Sequence, residues 1–131
     1  MSVRTSIRSA VAAQLTELGL FKAVFPYRPA DVPTSKCPFA LVYIEGADED
    51  FDNDGVYDNV AQLTIEIIAQ GFGDLEAQLD AISAAVNEKL NIDNTLNDLI
   101  GGFYRSNYVY DHAPEVMSCS FTQSYIIKFE D

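Results

Sequence analysis

Basic residues are scarce: 8 Lys and Arg stand against 20 Asp and Glu in 131 residues, a formal net charge of -12. A surface of that sign repels nucleic-acid phosphates and anionic lipid, which excludes tight generic binding to either. Only two cysteines occur, Cys37 and Cys119, far apart and without metal-ligand spacing. They read as reduced, partly buried thiols of a cytoplasmic protein. No run approaches the roughly 18 to 20 apolar residues that cross a bilayer. The first twenty residues hold two arginines, no continuous apolar stretch and no cleavage pattern, so they do not read as a secretory signal. Repeats, low-complexity tracts and long linkers are missing as well, and one domain over residues 1–131 is expected. A hydrophobic content of 48% is enough to give that domain a core.

Catalytic signatures are also lacking. Gly71, Gly73, Gly101 and Gly102 form no phosphate loop, because there is no Walker lysine and no G-x-G-x-x-G. His112, the single histidine, follows Asp111, but adjacent residues do not face each other as a triad requires, and no nucleophile elbow accompanies them. Cys37 precedes a proline and Cys119 falls on the apolar side of a strand pattern, which suits packing better than reactivity. Phe103, Tyr104, Tyr108 and Tyr110 have only Arg105 among them, too little charge for a base-stacking platform. Cross-strand packing or a protein interface suits these aromatics better. No enzyme is expected.

What is present is concentrated. Twelve acidic residues and no basic one lie between Cys37 and Glu88, while the rest of the chain is balanced. Within that segment, Asp50, Asp52, Asp54, Gly55 and Asp58 match positions 1, 3, 5, 6 and 9 of a calcium-binding loop. Position 12, which should be a bidentate Glu, is Ala61, and the flanks read as strands where helices are required. Asp50, Asp52, Asp54 and Asp58 are therefore weak metal candidates. The plainer reading is a solvated acidic hairpin that attracts divalent ions loosely, with no dedicated cofactor.

Periodicity supplies the elements. Ile7, Val11, Leu15 and Leu18 form one stripe of a helix over Ser2 to Leu18, stopped by Gly19. A second helix, Leu75 to Leu90, is capped by Asp74 and buries Leu75, Leu79, Ile82, Val86 and Leu90. Strands are expected at Phe21–Tyr27, Phe39–Glu45 (ended by Gly46), Tyr57–Gln70, Phe103–Tyr110 and Glu115–Phe129. An acidic loop is expected over 47–55, and a short turn or helix over 95–100. In the third strand Ala61, Leu63, Ile65, Ile67 and Ala69 face one way and Gln62, Thr64 and Glu66 the other. That alternation predicts one wet face or one face open to a partner. The fold class is α+β: a mostly antiparallel sheet of four to five strands with two main helices packed on one face, in the order α-β-β-β-α-β-β.

In this layout the chain resembles the phage tail terminator family, proteins like the minor tail protein U of lambda-type phages. The resemblance runs nearly end to end. It rests on Arg28-Pro29-Ala30, on Pro38 to Tyr43 leading to Gly46-Ala47, on Leu63 to Ile67, and on a last group. That group comprises Leu96 to Ile100, Tyr108 to Asp111 and the closing Ser118 to Glu130. It implies a structural part of the virion tail, made in the host bacterial cytoplasm. It further implies a homo-oligomer, a ring of six subunits that caps the finished tail tube and stops polymerisation. Its partners would be the tail tube protein and a head-completion or connector protein, with DNA only passing through and no membrane. The chain departs from the lambda-type pattern in a shorter, more acidic insertion and a Cys-Pro ahead of the second strand.

Given that role, the candidate interface comprises Arg28, Asp48, Glu49, Asp50, Asp52, Asp54, Gln62, Thr64 and Glu66. Polar strand faces pair with neighbours or line a channel, where carboxylates repel passing DNA phosphates. Other readings are a different head-tail or tail-completion protein, a calcium-binding module using the 50–58 loop, and an acidic nucleic-acid mimic. The last would spread its carboxylates over the whole surface, whereas these cluster.

Overall fold

The computed structural model describes residues 2–51, 55, 57–91 and 93–131, with the backbone alone at 51 and 57. Helix α1, Val3–Glu17, starts where the Ser2 hydroxyl accepts from the Thr5 amide at 3.1 Å. It ends at Gly19, whose φ of +68° suits glycine. Ile7, Val11 and Leu15 repeat on one side and lose all contact with solvent. Helix α2, Leu75–Lys89, is capped by Asp74, which accepts from the Ala77 amide at 3.0 Å. It buries Leu79, Ile82 and Val86. At its other end Lys89 lies in the last turn, where a cation favours the helix dipole, and pairs with Glu17 at 2.9 Å.

The strands are β1 (Ala23–Phe25), β2 (Phe39–Phe51), β3 (Tyr57–Gln70), β4 (Tyr104–Ala113) and β5 (Ser118–Glu130). They form one sheet in the order β1-β2-β3-β5-β4, with β1 parallel to β2 and every other pair antiparallel. This is the expected α+β arrangement. The rows Val42, Leu63-Ile65-Ile67 and Phe121-Tyr125-Ile127 pack with both helices in one core. Neither helix covers the opposite face.

Several boundaries differ from the pattern-based reading. Gly46 does not end β2. The register slips between Ile44 and Gly46, making Glu45 the extra residue of a bulge, and pairing with β3 then continues to Phe51 opposite Tyr57. Much of the expected acidic loop is thus strand, because a hairpin partner supplies the backbone bonds that local propensity does not favour. β1 is three residues long, and β4 runs on to Ala113. β5 starts at Ser118 because Pro114–Val116 form a 3-10 turn and Met117 has a φ of +52°. Residues 95–100 form a turn, with Leu96, Asn97 and Asp98 all left-handed (φ 52°, 57° and 69°). The Asn94 and Thr95 side chains accept from the Leu96 and Asp98 amides there. Phe103, placed in a strand by its sequence, lies just before β4 and packs edge-on against Tyr125.

Candidate assembly interface

The polar row of β3 lies on the helix-free face, but it is drier than alternation suggests. Thr64 is buried, with its hydroxyl 3.4 Å from that of Ser124 on β5, while Gln62 and Glu66 are half-buried. Cross-strand neighbours close over a central strand from both sides, so a polar position need not be wet.

Beside this row β1 aims its following loop along β2. Arg28 therefore lies over the Tyr43 ring, its Cζ 3.6 Å from the ring centre, and reaches Glu45 at 3.7 Å. Burial pushes the Glu66 carboxyl above its ordinary range, the Arg28 charge and a hydrogen bond from Tyr43 oppose that, and Asp111 adds to it. Tyr43 is pushed up in turn, chiefly by burial and then by the charge of Glu66. The fold thus brings Arg28 and Glu66 together, as members of one cluster that also includes Tyr43 and Glu45. Neither of the last two was singled out from sequence, because the parallel β1–β2 pairing that joins them has no local signature.

The acidic candidates form an arm. Residues 45–50 are exposed throughout, including Ala47, which shares a face with the core. By register, Asp48 lies opposite Val60, Glu49 opposite Asn59 and Asp50 opposite Asp58. Asp48 and Asp50 therefore share the helix-free face, and Glu49 is on the other. Asp52 and Asp54 lie outside the described residues. Among the described residues no group of three or more His, Cys, Asp or Glu is placed to hold a metal ion. At the root of the arm a cleft of about 760 Å³ opens between Val3, Asp58, Val60, Leu99 and Phe129.

At the opposite edge, β4 faces α2 across a groove of about 490 Å³. A polar chain crosses it. Ser83 donates to Gln123 Oε1 at 2.6 Å, Gln123 donates to Tyr125 Oη at 2.9 Å, and that hydroxyl donates to Asn87 at 3.1 Å. Arg105 reaches Ser83 at 3.3 Å. Gln123 is wholly buried on the apolar side of β5. Strict two-residue alternation through Phe121 and Tyr125 was the signal that places it there. Tyr110 donates to Asp80, and that carboxylate pushes its hydroxyl up to about 12.

His112 pairs at 2.6 Å with Glu76, not with Asp111, which the strand turns to the other face. Cys119 is 3.8 Å from the same ring nitrogen. Its thiol is pushed up by burial and by Glu76 and Asp111, which disfavours a nucleophilic thiolate; burial raises Cys37 too. Tyr108 stacks on Phe121 with centres 5.3 Å apart, and Tyr110 meets the same ring edge-on. Part of the tyrosine strand is thus cross-strand packing, yet Tyr104, Tyr108 and Val109 remain 53%, 54% and 58% exposed. Among the described residues no helix is long and apolar enough to cross a membrane.

A family model described as phage minor tail protein U matches residues 2–129. No curated protein sequence matches the chain. Among solved structures, a chain from the virion of a native gene transfer agent particle has a similar fold. Its TM-score is 0.61 at 17% identity, over 95% of this chain and 94% of that one.

Proposed function

The chain belongs to the phage minor tail protein U family, and from that premise we propose that it is a tail terminator, a six-membered ring closing the end of a phage or prophage tail tube. The observation that carries this reading is the unequal treatment of the sheet. One face is sealed by both helices, while an acidic arm projects with both faces exposed. Such an arm adds little to the core of a monomer and serves contacts beyond it. The work is done by binding: the ring stops tube polymerisation and presents a surface to a head-completion or connector protein. Assembly takes place in the host cytoplasm, and no catalytic group or cofactor takes part.

Asp48, Glu49 and Asp50, with the half-buried Glu66, bring negative charge to the places where subunits and DNA pass one another. A carboxylate-lined channel repels phosphates, so the genome slides through without sticking. The same charge opposes bringing subunits together, so salt or magnesium favours assembly.

Negative-stain imaging with sedimentation tests the proposal, using concentrated protein with and without magnesium. Sixfold rings are expected, more abundant as ionic strength rises. A particle that stays monomeric under every condition overturns the ring, and rings strongest at low salt overturn the charge argument. Calorimetric titration separates the calcium-module reading, which requires tight stoichiometric binding; the ring reading expects millimolar binding or none.

A further inference from the structure

We propose that, in the ring, the free edge of β4 on one subunit pairs with the free edge of the β2 arm on the next, continuing one sheet from subunit to subunit. The inference rests on the ring reading and names the surfaces that build it. Both edges are bare among the described residues. β4 pairs only with β5, leaving one side of Tyr104–Ala113 without a strand. β1 covers β2 only from Phe39 to Leu41, so Gly46–Phe51 has a partner in β3 alone.

Unpaired edges invite aggregation, and proteins usually blunt them with lysine, proline or very short strands. Over its ten residues β4 has no Lys or Pro; a single bulge at Ser106 interrupts its start, Asn107–Ala113 then pairs with β5 without a break, and Tyr104, Tyr108 and Val109 are exposed. A strand kept that open fits a partner strand. The six residues from Gly46 to Phe51 span roughly 20 Å, within the roughly 33 Å of β4.

Charge selects the partner. Two β2 arms brought edge to edge would juxtapose Asp48, Glu49 and Asp50 with their own copies, a repulsive contact. β4 instead offers Arg105, with Asp111 its only acid. Two β4 edges also match, since antiparallel pairing about Tyr108 sets Arg105 opposite Asp111. That contact is two-fold and closes at a dimer, leaving the arms bare. The β4-to-β2 contact uses opposite edges of one sheet, so it is head-to-tail, the kind of contact that generates a ring when the rotation between subunits closes.

Cross-linking in a Cys37→Ser background tests this, with Val109→Cys and Asp48→Cys made singly and together. The reagent is a short bis-maleimide that tolerates a one-residue register difference. Its reach is below the roughly 14 Å between the first and fourth of four neighbouring strands, so it joins only different subunits. The double variant should give a covalent ladder that ends at the ring, and each single variant and the parent should give no product. Sedimenting rings without a ladder overturn the edge pairing while leaving the ring intact, and dimers from Val109→Cys alone overturn it in favour of the two-fold β4 contact. A ladder of open chains without rings overturns ring closure and upholds the pairing; neither rings nor ladder overturns both.

Discussion

Leu63, Ile65 and Ile67 on β3 have no solvent exposure, whereas residues 45–50 of the neighbouring β2 are exposed on both faces. The contrast repeats on the other side, where β5 buries Phe121, Tyr125 and Ile127 beside β4, which buries no residue and leaves all but Tyr110 and Ala113 exposed. Hydrophobic burial scales with the area removed from water, so the central pair holds the monomer together and the outer segments contribute little. Under the proposed ring, these two long outer strands serve contacts with another subunit.

Substitution should separate the two regions sharply. Leu63→Ala removes a fully buried side chain and should cost about 2 to 5 kcal/mol in urea unfolding, by lost transfer energy and the cavity left behind. Asp48→Asn on the arm should stay within about 0.5 kcal/mol, as exposed sites do. An arm substitution as damaging as the core one would erase the distinction.

The polar chain under β4 gives the next effect. Gln123→Ala removes the acceptor of the Ser83 hydroxyl and the donor to Tyr125 Oη, leaving Ser83 only Arg105 and Tyr125 only Asn87, which should cost about 1 to 3 kcal/mol, measured in the same way. Its burial belongs to the central pair although its chemistry is that of a surface residue.

Glu66 gives a small effect whose sign depends on pH. Its carboxyl is raised in the folded state above its ordinary value, so folding favours the protonated form. Its contribution to stability is therefore best at low pH and weakens as pH rises from the ordinary carboxylate range through the raised value. Glu66→Gln should raise Tm slightly at pH 7 and lose that advantage in acid. An advantage that grows as pH falls would show that Arg28 and Tyr43 outweigh burial.

Much of this is legible in the sequence. The stripe Ile7-Val11-Leu15, the stripe Leu79-Ile82-Val86 and the Ala61-to-Ala69 alternation report burial directly, because one face of each element is apolar. What could not be read depends on partners distant in sequence. Residues 47–51 are strand because β3 pairs with them across a bulge, against a run of Asp and Glu that favours a loop. Arg28 meets Tyr43, Glu45 and Glu66 only because three residues of β1 pair in parallel with β2. Of the acidic loop, Asp48, Glu49 and Asp50 were correctly seen as exposed, though their backbone was misread.

Hydrogen exchange compares the two regions most directly, in dilute monomer and in assembled protein. On assembly, the amides of 46–51 that face away from β3 and those of 104–113 that face away from β5 should become slow together. The amides of β3 and β5, paired on both sides, should be slow in both states and change little. Protection appearing at neither edge, or at β4 without the arm, would contradict a ring built by joining opposite edges of the sheet.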